Sequence, residues 1–252
     1  VLHRTYSGKA RPRTHYLLGW LPRWATLIRT VPGAAHLVNW ATRWRGLEKT
    51  ILATGGMDPR RSFVHFETDP LAPWWRRRGG NPSPSGLRKP VLVWADSFSQ
   101  SLDSGPAKAL IELLESAGYD VLLAPSDACC GLTWITTGQR GAAASHLRAA
   151  IDVLHPYAVR MPILGVEPSC LAVWRSDATD LVDDPRLAEV AAATRTLAEL
   201  LRELPGYSAP DLTGHHLIVQ PHCHQAAVLG WEADASLLRR TGASVTTLGG
   251  CC

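Results

Sequence analysis

Pro90-Val-Leu-Val-Trp-Ala-Asp96 and Tyr119-Asp-Val-Leu-Leu-Ala124, the second followed by Cys129-Cys130-Gly131, decide the fold. Each is a near-continuous apolar run, the mark of a strand buried on both faces of a parallel sheet. Between them Ser104 stands where it can cap a helix over Pro106–Ala117, with proline early in that helix and Gly118 just beyond its end. The unit reads as β-α-β with a right-handed crossover. A helix from about Gly138 to Leu154 and a third strand, Met161 to Val166, extend it as far as Glu167-Pro-Ser-Cys170. Residues 184–202, rich in Ala, Leu and Glu, read as one long helix.

The pattern then restarts. His216-Leu-Ile-Val-Gln220 is a strand that leads into Pro221-His222-Cys223-His224. Ala233–Thr241 is a helix, and Ala243–Leu248 a strand running into Gly249-Gly250-Cys251-Cys252. Ala117-Gly-Tyr-Asp-Val-Leu-Leu-Ala matches Thr241-Gly-Ala-Ser-Val-Thr-Thr-Leu, and each leads to a Cys-Cys pair, so one supersecondary unit is repeated. The expected fold is α/β: two pseudo-symmetric βαβ-type halves with mostly parallel sheets. The first half spans 89–205 and the second, shortened, 206–252. Its counterpart of Cys170 is expected beyond residue 252, and the chain reads as an internal piece of a longer one.

A helical, Pro/Gly-rich arm over residues 1–88 precedes them. Residues 1–90 carry a net +12 and residues 91–252 a net −8. Apolar residues recur at helical spacing from Tyr16 to Ile28, and again over Ala34–Leu52, where Leu37, Trp40, Ala41, Trp44 and Leu47 share a face beside Arg43, Arg45 and Lys49. Nucleic acid, an anionic membrane surface or an acidic partner would all suit such a front. The reading adopted is a helical cover over the acidic body and sibling domains, with no nucleic acid and at most peripheral membrane contact. Gly55–Gly86, rich in Gly, Pro and Arg and including Trp74-Trp75, reads as a linker or wrapping arm. No apolar run reaches the ~18 residues a membrane span needs. No export segment is visible, so a cytoplasmic location is expected.

All six cysteines lie after residue 128, at turns where several side chains can be aimed at one point. Asp96, Cys129, Cys130 and Cys170 each follow a strand, and ligands in open α/β sheets gather at strand carboxyl ends. Three uses compete. A disulfide framework would require strained neighbouring bridges. Buried thiols or a zinc site would fit poorly, because Cys-x₂-Cys knuckles are missing. An iron–sulfur cluster held by thiolates from separate turns fits the spacing best. No Gly-rich dinucleotide loop, Ser-His-Asp set or pair of catalytic carboxylates is evident.

Cys129-Cys130-Gly131, with Asp96 33 positions earlier and Cys170 after, resembles the cysteine-rich CCG domain of the heterodisulfide reductases and the glycolate oxidase iron–sulfur proteins. The whole set of motifs more closely resembles the C-terminal part of FAD/iron–sulfur D-2-hydroxyacid dehydrogenases, the D-lactate and D-2-hydroxyglutarate type. Trp94-Ala-Asp96-Ser-Phe-Ser99, Gly165–Cys170, Pro221–Gln225 and the segment Arg11 to Arg61 carry that likeness. It implies a [4Fe–4S]-type cluster on Cys129, Cys130, Cys170 and Asp96 and on Cys223, Cys251 and Cys252, with Glu167, His222 and His224 around the ligands. It also implies FAD-binding and ferredoxin-like domains elsewhere in the full chain. This part alone would then be inactive as a dehydrogenase and would pass electrons to an acceptor not named by the sequence. Asp96 departs from the resemblance, since many CCG domains carry a first cysteine there. A carboxylate is a harder ligand than thiolate, so the first site would hold an atypical cluster, a single metal ion or nothing, and the second half is the better cluster candidate. The alternative is a zinc- or iron-stabilised interaction domain with no redox role.

Overall fold

The computed structural model describes residues 1–83, 86–125 and 128–250. The arm holds α1 (Leu2–Thr5), α2 (Arg13–Leu17), α3 (Leu21–Thr30), α4 (Ala34–Thr42), α5 (Arg45–Thr54) and α6 (Leu71–Arg77). The first half follows with β1 (Lys89–Trp94), α7 (Ser97–Ser101), α8 (Gly105–Ser116), β2 (Tyr119–Leu123), α9 (Leu132–Thr136), α10 (Arg140–Ala158) and β3 (Ile163–Gly165). It ends with α11 (Pro168–Arg175), α12 (Leu187–Ala193), β4 (Thr194–Arg195) and α13 (Leu197–Arg202). The second half holds β5 (His216–Val219), α14 (Glu232–Arg239) and β6 (Ser244–Thr247).

The fold is α/β. Among the described residues one sheet has the order β2-β1-β3-β4 with every pairing parallel, and β5 pairs with β6 in a second parallel sheet. Side chains alternate across β1 as the strand period requires. Leu92 and Trp94 join Leu147, Ile151 and Trp174 of α10 and α11 on one face, while Val91 and Val93 join Ile111, Leu114 and Leu200 of α8 and α13 on the other. Both faces are thereby covered, which explains the unbroken apolar run.

The two halves repeat at the level of register. Val91 pairs with Val121, and Leu217 with Val245. Gly118 (φ +91°) and Gly242 (φ +76°) take the left-handed turn before the second strand of each unit, a conformation that favours glycine. The halves differ in cover: a parallel pair is ordinarily buried, yet Ile218 on β5 is 66% exposed.

Several expectations are corrected. The helix expected over 184–202 is broken by Thr194-Arg195, which pair with β3 and form the edge of the sheet. Thr196 then restarts helical structure through a capping box with Glu199. Ser104 does not cap α8: its hydroxyl donates to Glu67 of the arm at 2.9 Å. Each expected arm helix divides in two, at Leu18–Trp20 and at Arg43–Trp44. The presumed linker holds α6, whose Leu71 and Trp75 enter the core beside Val91 and Ile111. Trp75 donates to Asn81 (2.7 Å), and Asn81 bonds both the N–H and the carbonyl of Leu123, so the arm covers the β2 edge of the sheet.

Candidate metal centre

The Cys-Cys-Gly turn is built by close packing. Gly131 (φ +75°) starts α9, and a Cβ there would stand 3.1 Å from the Ala143 carbonyl of α10. Buried Trp94 donates its indole N–H to the Ala128 carbonyl at 2.7 Å, which ties the turn to the end of β1. Cys170 arrives from β3. A Cβ on Gly165 would lie 2.5 Å from Leu171, so glycine lets the strand end and α11 approach closely. Glu167 caps α11 by accepting from the Cys170 N–H at 2.8 Å, and Arg175 grips both carboxylate oxygens of Glu199 on α13 at 2.9 and 2.8 Å.

These anchors bring Cys129, Cys130, Cys170, Asp96 and Ser97 to the wall of one cavity of about 10 Å³, which Pro22 of α3 and Phe98 also line. Cys130 Sγ lies 3.0 Å from Cys170 Sγ. The three thiols hydrogen-bond one another, and all three are pushed toward the protonated form. A hydrogen bond to Cys130, burial and the neighbouring sulfur push Cys129 well up, against the Gly131 N–H and the Ser97 hydroxyl, which favour its thiolate. For Cys130, contact with Cys129 favours the thiolate, but the bond to Cys170 and burial outweigh it and push the group well up. Cys170 is helped by Cys130, yet burial and the carboxylates Asp96 and Glu167 push it up to about 12.

The donor set of soft thiols suits iron or zinc. The spacing is too tight for either. Two sulfurs each ~2.3 Å from one tetrahedral ion stand roughly 3.8 Å apart, and thiolates on different irons of a cluster stand farther apart still. Among the described residues no group of three His, Cys, Asp or Glu side chains has metal-holding geometry. To hold an ion or a cluster, Cys130 and Cys170 would have to stand farther apart than 3.0 Å.

Asp96 is buried but engaged. One carboxylate oxygen accepts from the Phe98 and Ser99 N–H groups (2.8 and 3.2 Å), the other from the Ser99 hydroxyl (2.6 Å), so it caps α7. An uncapped end costs about 0.5–2 kcal/mol. Asp96→Ala should lose that much in denaturant unfolding, whereas Asp96→Asn, which keeps an acceptor, should lose a few tenths. Normal stability in Asp96→Asn with its metal gone would instead identify Asp96 as a ligand.

Strand register shows what motif reading missed. Val93 pairs with Leu123 and Val219 with Thr247, each two residues beyond the pairs Val91–Val121 and Leu217–Val245 of the repeat. Counting onward, Ser97 is the counterpart of Cys223 and Asp96 that of His222. Ser97 and Cys223 are each the first helical residue after their strand. Ser169 was also missed. Its hydroxyl donates to Glu167 (3.0 Å) and lies 3.3 Å from His222 Nε2 and 3.1 Å from His224 Nδ1, whose rings stack 5.6 Å apart. The histidines that flank Cys223 thus rest on the first turn of α11, which carries Cys170. Cys251 and Cys252 lie outside the described residues.

No protein-family model, curated protein or solved structure matches the chain.

Proposed function

We propose that this chain is the iron–sulfur electron-transfer part of an FAD-linked oxidoreductase acting on a 2-hydroxy acid of the D-lactate, glycolate or D-2-hydroxyglutarate class. The observation that carries the reading is the meeting of Cys129, Cys130 and Cys170 at the carboxyl edge of a parallel sheet, with backbone N–H groups directed at two of the sulfurs. N–H groups aimed at sulfur favour thiolate and tune a cluster's potential. A cluster there would take and give single electrons; FAD and the substrate would belong to other domains of the full chain. The CCG resemblance supplies the substrate class, and the protein residues supply only donors and their surroundings.

A single ion needs its sulfurs only roughly 3.8 Å apart, nearer the observed 3.0 Å than the thiolates of a cluster stand, which favours a second reading: one zinc or iron ion that holds the turns together without redox work. Anaerobic purification followed by metal and acid-labile sulfide analysis separates the two. Iron and sulfide in equal amounts are the expected result. Zinc, or iron without sulfide, would replace the electron-transfer reading with the structural one.

A further inference from the structure

We propose that the outer face of α4 and α5 docks on an anionic lipid surface. The two helices turn polar as well as apolar side chains inward: Leu52 of α5 is buried beside Glu48, and Asn39 is the buried residue of α4. Their polar residues face inward: Asn39 bonds both backbone groups of Phe66 (2.7 and 2.9 Å), and buried Glu48 accepts from the Phe63 N–H at 2.8 Å. These bonds help fix which side faces out, and four large apolar residues stand on that side among Arg43, Arg45 and Lys49. Leu37 is 63% exposed, Trp40 55%, Trp44 64% and Leu47 45%, and the two indoles meet at 5.7 Å. An ordinary surface helix buries such a stripe.

The charge around the stripe has one sign. Residues 1–57 contain nine Lys/Arg and one acid, Glu48, which is buried. Exposed Arg43 and Lys49 meet no carboxylate among the described residues, and Arg45 reaches Glu48 at 3.2 Å with 67% of its side chain still exposed. The occupant must therefore be anionic and must also accept two leucines and two tryptophans. Single-stranded nucleic acid would use the indoles and arginines but leave Leu37 and Leu47 in water. A bilayer interface uses all of them: tryptophan at headgroup depth, leucine in the acyl boundary, arginine and lysine on the phosphates. No described helix is long and apolar enough to cross a membrane, so the contact lies in the interface plane.

The test is sedimentation of the 252-residue chain with vesicles of phosphatidylglycerol and phosphatidylcholine, against phosphatidylcholine alone. The expected result is binding to the anionic vesicles only, with blue-shifted tryptophan emission and release by salt. Trp40→Ser/Trp44→Ser should lower partitioning about tenfold or more, and Arg43→Glu/Lys49→Glu by at least about fivefold per charge. All four side chains are exposed, and circular dichroism verifies that the variants fold. A chain that stays in the supernatant, pellets equally with neutral vesicles or pellets unchanged in the tryptophan variant overturns the proposal. So does retention by a single-stranded oligonucleotide in the absence of vesicle binding.

Discussion

If the proposed function holds, Cys170→Ser should empty the first-half site while the domain stays folded. Losing one outer partner of a metal ligand typically weakens binding by roughly 10–100-fold, so losing a buried thiolate should cost about 100-fold or more. The fold should survive because Cys170 is held through its backbone, by the Glu167 cap, within a helix whose Leu171 and Trp174 stay in the core. A serine hydroxyl without a good partner there costs about 1–3 kcal/mol, visible in unfolding but short of collapse. Ser97→Cys is the opposite change. It places a fourth thiol on the cavity wall, where register matches Cys223, and should raise iron retention during purification in air. Iron and sulfide content with low-temperature electron paramagnetic resonance measure both variants. Undiminished iron in Cys170→Ser would remove the first-half site from the electron path.

The same site shows how far sequence reaches. β1, α8 and β2 were legible because continuous apolar runs and Gly118 report a strand buried on both faces. The placement of Cys129, Cys130 and Cys170 after strands was legible for the same reason. Asp96 was read as a ligand although Asp96-Ser-Phe-Ser99 is also a capping sequence; only the bonds to the Phe98 and Ser99 N–H groups show that α7 uses its oxygens. β4 was hidden because two residues are too few to show a period of two, and the flanking Ala/Leu content speaks for helix. The Thr196…Glu199 capping box was written in the sequence but lay inside that helical run. Ser97 and Ser169 carried no local signal. The role of Ser97 comes from pairing register, and Ser169 meets His222 and His224 across 53 and 55 residues of chain. The outward stripe of α4 and α5 shows the same limit: helical period finds an apolar face, but only tertiary bonds such as those of Asn39 decide whether it faces in or out.

On the proposed electron-transfer function, Cys223→Ser should have the largest functional effect, stopping electron delivery to an external acceptor while substrate still reduces the flavin. Cys223 is the one thiol at its position in the repeat, where the first half has Ser97, and soft thiolates are the ligands that iron–sulfur clusters select. It begins a helical turn directly after β5, in a segment fixed by the packing of Leu229 on the core and by the contacts of His222 and His224 with Ser169. With Cys251 and Cys252 it offers three thiolates and no carboxylate, a softer donor set than Asp96 leaves to the first half. If the cluster on these residues is the exit to the acceptor, its loss blocks the path after the flavin and not before it. Stopped-flow bleaching of the flavin by substrate should proceed at the wild-type rate, while steady-state dye reduction should fall by about 100-fold or more, in line with loss of a ligand. Slowed bleaching would mean that the variant disturbs the flavin domain. Unchanged dye reduction by a protein shown to lack this cluster would mean that the second half holds its cysteines for structure, and electron transfer would then depend on Cys129, Cys130 and Cys170 alone.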